Sequence, residues 1–187
     1  MFVKDYMTRD VVSVFANEST QEAWQSIIKE HIRQVPVMKD EKLVGIVSRT
    51  DLLRGMQTVS GEASLGDLMN PSVTDVMTPD PLTVHPEDGI EDAAKKMFEE
   101  RIGSLPVTLE NGTLVGMLTR TDLFRALVQI IGIGEESVRI QMESNDYKEL
   151  LDEADDLSDE MVPLSTLIFH AGKGGPEWKS LFRFRSE

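Results

Sequence analysis

Cysteine is absent from these 187 residues, which excludes disulfides and thiolate metal sites and fits a reducing compartment. Long apolar runs are missing too: no stretch approaches the roughly 20 residues that would span a bilayer, and the N-terminus has no signal-peptide core. A soluble cytoplasmic protein without a membrane role is the expectation. Basic residues are scarce, 19 Lys and Arg against 33 Asp and Glu, for a net charge of −14. That sign repels a phosphate backbone and argues against a nucleic-acid partner, although a local cluster can still hold a small anion. His31, His85 and His170 are the only histidines, too scattered in sequence to suggest a metal site. The acidic run Asp152-Glu153-Ala154-Asp155-Asp156 lacks the glycine and spacing of a calcium loop. Gly172-Lys173-Gly174-Gly175 lacks P-loop spacing. The ten methionines read as packing. No nucleophile, base and acid stand out as a set, so no enzyme, catalytic cofactor or metal is expected.

What the chain does have is an internal repeat, the feature that governs fold assignment when present. Val3-Lys4-Asp5-Tyr6-Met7-Thr8 returns as Val73-Thr74-Asp75-Val76-Met77-Thr78. Leu43 to Arg54 (LVGIVSRTDLLR) returns as Leu114 to Arg125 (LVGMLTRTDLFR), identical at 8 of 12 positions. The offset is 70 up to Pro36/Pro106 and 71 beyond, which places a one-residue insertion in the turn around Asn111-Gly112. Two copies imply two similar units meeting across a pseudo-twofold axis.

Each copy reads as strand, helix, strand, strand, helix, an α+β arrangement. Ala23, Trp24, Ile27, Ile28 and Ile32 recur at helical spacing, as do Ala93, Ala94, Met97, Phe98 and Ile102. Ser19 with Glu22, and Asp88 with Glu91, are candidate helix starts. Val35–Met38 with Leu43–Ser48, and Leu105–Thr108 with Leu114–Thr119, read as hairpins joined by polar turns. The expected divisions are repeat 1 at 1–57, a linker with a short helical turn (Leu65, Leu68, Met69) at 58–72, repeat 2 at 73–131 and a tail at 132–187. In the tail, alternation over Ser137–Glu143, a helix face of Tyr147, Leu150, Leu151, Ala154, Leu157 and Met161, and strands over Val162–Ala171 and Trp178–Arg185 predict a small β-α-β-β unit.

The paired stretches Gly45-Ile46-Val47-Ser48-Arg49-Thr50-Asp51 and Gly116-Met117-Leu118-Thr119-Arg120-Thr121-Asp122, with the Asp-x-Met-Thr openings and the Val/Leu-Pro-Val strands, resemble the cystathionine-β-synthase (CBS) domain family. Two such repeats in tandem form a Bateman module, and the resemblance covers roughly residues 1 to 131. It implies a non-catalytic sensor that binds an adenosine compound (AMP, ADP, ATP or S-adenosylmethionine) between the repeats. In that family the Asp holds ribose hydroxyls and the Ser or Thr lies near ribose or phosphate. Carried over by position, one pocket takes Met77, Leu82, Ile102 and Gly103 with Ile46, Ser48 and Asp51. The other takes Met7, Val12, Ile32 and Arg33 with Met117, Thr119 and Asp122. A free helix N-terminus beside a hydroxyl suits phosphate, a carboxylate can accept from a ribose diol, and Arg49 and Arg120 can pair with phosphate oxygens.

The same residues allow a plainer reading. Ser48-x-x-Asp51 and Thr119-x-x-Asp122 also fit helix caps that need no ligand, which would leave a structural module for dimerisation or partner docking with empty clefts. The apolar helix residues Ile27, Ile28, Met97, Phe98, Leu123 and Leu127 suggest a homodimer, and a downstream protein partner is implied but unidentified. The tail's β-α-β-β order resembles the first half of an ACT domain, without the Pro-Gly usual after its first strand near Ser144-Asn145-Asp146 and without the final helix and strand. Dimerisation or docking is its expected role.

Overall fold

The computed structural model describes residues 1–58, 71–133, 137–171 and 177–185. The helical turn expected at Leu65, Leu68 and Met69 and the turn at 172–176 lie outside them. The chain divides into two units, Met1–Leu123 and Phe124–Glu187.

In the first unit, β1 (Val14–Phe15), α2 (Thr20–Lys29), β2 (Gln34–Lys39), β3 (Lys42–Ser48) and α3 (Arg49–Thr58) follow a short opening helix, α1 (Val3–Tyr6). The second copy supplies β4 (Thr78–Pro79), α4 (Ile90–Glu99), β5 (Ser104–Thr108), β6 (Leu114–Thr119) and the start of α5 (Arg120–Ile131). Ser19 caps α2 reciprocally with Glu22, and the Ser19 N–H and hydroxyl hold the Glu22 carboxyl below the usual carboxylate range. The second copy departs from the expected cap. α4 starts after Gly89, and Asp88 instead accepts a 2.8 Å bond from the His85 N–H. Both helices stop at a left-handed residue, His31 (φ 54) or Arg101 (φ 56), and the next N–H reaches back, Ile32 to Ile27 and Ile102 to Met97, at 3.1 Å each. This is a Schellman-type ending without glycine. It puts Ile32 and Ile102 beyond the helices rather than on them.

The hairpin turns explain the change of offset. Asp40 and Glu41 both have positive φ between paired Lys39 and Lys42, a two-residue turn. In the second copy Gly112 (φ 83) donates to Leu109 in a turn one residue longer.

Each copy completes the other. β4, from the opening of copy 2, pairs antiparallel with β3 of copy 1 (Ile46 with Thr78), and Thr8, from the opening of copy 1, exchanges two 2.9 Å backbone bonds with Met117 of copy 2. Val73 N–H donates to Glu18 and Val3 N–H to Asp88, positions again 70 apart. Val73 is fully buried in the core of Val14, Ile27, Val35, Val37, Val47 and Leu52, and Val3 is buried too. Burying a valine stabilises by roughly 1.5–3 kcal/mol, against about 0.5–1.5 kcal/mol net for one hydrogen bond, so the side chains anchor the exchange more than the backbone bonds do. Residues that are their own equivalents meet in pairs: Lys42 bridges Thr113, and Ser104 donates to Gln34. The pseudo-twofold axis passes between them.

The core settles which helix residues face in. Ile27 and Met97, expected on an exposed apolar face, are buried, whereas Ile28, Phe98 and Leu127 are exposed. In the second unit, β7 (Ser137–Ser144), α6 (Tyr147–Glu160), β8 (Pro163–His170) and β9 (Trp178–Arg185) form the β-α-β-β order read from the sequence, with β9 between β7 and β8, antiparallel to both. Phe182 and Phe184 are buried with Leu150 of α6, and Arg183 and Arg185 alternate with them. Asp146 caps α6 by accepting from Lys148 N–H.

A Cβ at Gly116 would stand 2.5 Å from the Met7 sulfur and 3.1 Å from the Thr8 carbonyl oxygen; at Gly45 it would meet the Met77 sulfur at 2.3 Å and the Thr78 carbonyl oxygen at 3.1 Å. Both glycines therefore exist to admit the other copy's opening segment. Gly116→Val is expected to cost about 1–3 kcal/mol by overpacking, and Met7→Ala in the same chain to recover part of that loss, measured as urea unfolding free energies of both variants and the double variant.

Candidate functional site

The strand-to-helix junctions of both copies open into one cleft of about 790 Å³. Its wall from copy 1 comprises the opening loop (Thr8, Asp10, Val11, Val12), the segment after α2 (His31 to Gln34) and the start of α3 (Ser48, Arg49, Thr50). Copy 2 adds Gly103, Ser104, Met117, Thr119, Arg120 and Thr121. The junctions are held alike: Arg49 N–H donates to the Arg33 carbonyl at 2.9 Å and Arg120 N–H to the Gly103 carbonyl at 3.1 Å. Two helix N-termini, with their positive dipole ends, therefore border the same space.

At the start of α3, Asp51 accepts from the Ser48 N–H (3.0 Å) and hydroxyl, and the Ser48 oxygen accepts from Asp51 N–H at 3.2 Å. At the start of α5, Asp122 accepts from the Thr119 N–H (2.9 Å) and hydroxyl (2.6 Å), and Thr119 returns the bond at 3.4 Å. The capping role read from the sequence is therefore present at both. The two carboxylates differ in exposure: Asp122 is 4% exposed, and Asp51 is only partly buried. Both bonds that Asp51 accepts at the cap end on Oδ2, and among the described residues its Oδ1 has no partner.

Of the residues singled out in the sequence, Val12, Ile32, Arg33, Ser48, Arg49, Gly103, Met117, Thr119 and Arg120 line the cleft. Met7 and Met77 do not; their sulfurs pack against Gly116 and Gly45. Asp122 is turned into the α5 cap, Leu82 is exposed, and Ile46, Asp51 and Ile102 lie off the lining. Two pockets were expected, and residues assigned to both, Gly103 of one and Arg33 of the other among them, line this cleft. Sequence reasoning missed Thr8, Asp10, Val11, His31, Gln34, Thr50, Ser104 and Thr121. Gln34 and Ser104 are equivalent positions that bond to each other in the structure, which the repeat alone does not announce.

A family model described as the CBS domain matches residues 3–58 and 73–129. The chain belongs to the CBS domain family. Its CBS pair is 33% identical to Arabidopsis thaliana CBSX2, crystallised with AMP, with a TM-score of 0.60 over 69% of this chain and 97% of that one. It is 25% identical to the CBS domain pair of protein MJ0100, crystallised with 5′-methylthioadenosine and S-adenosyl-L-methionine, with a TM-score of 0.59 over 68% of this chain and 95% of that one. Over 122 residues it is 38% identical to an inosine-5′-monophosphate dehydrogenase of Korarchaeum cryptofilum, a match covering 65% of this chain but only 23% of the enzyme. Among the described residues no helix is long and apolar enough to cross a membrane.

The difference in burial of the capping carboxylates has a stability consequence. Asp122→Ala removes a carboxylate that is 4% exposed together with the two bonds it accepts from Thr119, and is expected to cost about 1–3 kcal/mol. Asp51→Ala, at a wetter site, is expected to cost about 0.5–1 kcal/mol. Urea denaturation of the two single variants measures both.

Proposed function

We propose that this protein is a non-catalytic regulatory module that binds an adenosine-containing ligand in the cleft between its two CBS repeats. The observation that carries this reading is the cleft itself, in which two helix starts and three arginines converge beside the apolar side chains of Val12, Ile32 and Met117. Apolar walls suit a purine, the hydroxyls of Ser48 and Thr119 suit a sugar, and Arg33, Arg49 and Arg120 suit an anionic group. The AMP, 5′-methylthioadenosine and S-adenosyl-L-methionine of the similar CBS pairs favour adenosine as the common element. The pseudo-symmetric pocket of Ile46, Asp51, Met77, Leu82 and Ile102, which shares Ser48, Arg49 and Gly103 with this cleft, is the weaker one on this reading. Met7 and Asp122 support the walls from behind.

The ligand class is tested by thermal shift of the purified protein with adenosine, AMP, ADP, ATP and S-adenosylmethionine. A ligand at 100 times its dissociation constant adds about 2.7 kcal/mol to stability, a rise in melting temperature that is easily measured. If none of them moves the transition, the adenosine reading is wrong. That result would favour the second reading, a structural module with empty clefts, to which the caps at Asp51 and Asp122 lend weight.

The module is proposed to work as a homodimer. Equivalent helix positions expose large apolar side chains in both copies, Ile28 with Phe98 and Leu53 with Phe124; Phe98 is 84% and Phe124 66% exposed. Large apolar side chains uncovered at equivalent positions of both copies support an interface on these helix faces. The tail, with β7 and β8 as open edges of its sheet, is proposed as a dimerisation or docking element of partial ACT-like pattern that meets a downstream protein. Light scattering at micromolar concentration is expected to give twice the chain mass, and Phe98→Glu to give the single-chain mass. A monomeric wild type would contradict the dimer.

A further inference from the structure

The cleft reverses the charge of the chain around it. Against 33 acidic and 19 basic residues overall, its lining holds Arg33, Arg49 and Arg120, with Asp10 as its one carboxylate among the described residues. The three cations are not copies of one another. Arg49 and Arg120 are repeat equivalents, but Arg33 stands where the second copy has Gly103. Their restraints differ too. Arg120 donates from Nε and Nη2 to the Ile102 carbonyl at 3.2 and 3.0 Å, and Arg49 lies over the Trp24 ring at 5.3 Å, where the second copy has Ala94. A stacked guanidinium keeps its N–H edge available. The Arg33 side chain has no ion-pair or hydrogen-bond partner among the described residues.

Three arginines on one lining give little to a neutral nucleoside and oppose a sulfonium cation. They gain with each phosphate added, because every phosphate brings further oxygens for charged hydrogen bonds. Because Arg33 has no counterpart in the second copy, this gain is concentrated on one side of the pseudo-twofold axis. We propose that the cleft selects nucleoside di- and triphosphates, and binds one such ligand per chain with its phosphates held by Arg33, Arg49 and Arg120. The nucleoside being adenosine rests on the function proposed above; the selection for phosphate rests on the arginines.

Isothermal calorimetry on the full chain, in magnesium-free buffer of fixed ionic strength, tests both parts. The probes are adenosine, AMP, ADP, ATP, S-adenosylmethionine and inorganic tripolyphosphate. ADP and ATP are expected to bind at least about tenfold more tightly than adenosine or S-adenosylmethionine, at one per chain. Arg33→Ala is expected to weaken ADP and ATP about tenfold and leave adenosine unchanged. Arg9→Ala, which removes a nearby cation that bonds the Lys4 carbonyl outside the cleft, is expected to change neither. Equal affinity across the adenosine compounds, an Arg33→Ala variant that binds ATP like wild type, or two equivalent ligands per chain would overturn this proposal while leaving an adenosine sensor intact. Tripolyphosphate binding as tightly as ATP, or no binding by any adenosine compound, would defeat the adenosine reading and this proposal with it.

Discussion

The exchange of opening segments between the two copies is the contact on which the rest depends. Without Val73 the first copy has a hole in its core, and without β4 its sheet ends at β3. The second copy depends in the same way on Val3 and on the Thr8–Met117 pair. Gly45 and Gly116 are what permit it, since any side chain there would meet a methionine sulfur and a backbone carbonyl together. A sliding methionine could relieve the first clash but not the second, because moving the carbonyl means opening the strand pair. Neither copy is a complete domain, and the cleft exists because the two close on each other.

Reciprocity also decides where chemistry can gather. Equivalent residues that touch each other lie near the axis, as Gln34 with Ser104 and Lys42 with Thr113 do. The junctions just beyond Gln34 and Ser104 bring the starts of α3 and α5 to one opening. The motif carboxylates serve those helix starts first, with Asp122 sealed into the task and Asp51 retaining one unpartnered oxygen among the described residues. Breaks in the symmetry, Arg33 against Gly103 and Trp24 against Ala94, are therefore more informative about the cleft than the matches are. The matches are required by the fold, whereas the breaks are not.

Much of this was legible in the sequence because its signals are local. The helix with Ser19 and Glu22, both hairpins, the inserted turn residue at Gly112 and the tail's β-α-β-β order follow from spacing within a dozen residues. What escaped depends on distant partners. The choice between Ile27 and Ile28, or Met97 and Phe98, as the inward residue is set by the core that forms around them, and neighbouring apolar positions give no local preference. Asp88 looks like a cap, yet the His85 N–H takes its carboxylate and the helix begins after Gly89. His31 and Arg101 occupy left-handed backbone that ordinarily calls for glycine, at a cost of about 1–2 kcal/mol each, and no composition rule announces them. That residues of both expected pockets border one cleft was hidden for the same reason: spacing assigns residues to junctions but does not say how far apart the junctions lie.

A ligand can shift a protein only by binding its two arrangements unequally, so the useful question is which contact an occupied cleft would strengthen. Val11 and Val12 follow the Thr8 that pairs with Met117, and Met117 and Thr119 belong to the strand that receives it. A molecule lodged between these walls touches both sides of the exchange between copies. On that proposal its binding energy would be added to the contact between the repeats. The buried valines already hold that contact from the opposite end of the opening segments, so occupancy need only bias the part of the junction nearest the cleft. On the function proposed above, the strand pairing at Thr8 and Met117 is the contact that an occupied cleft would strengthen.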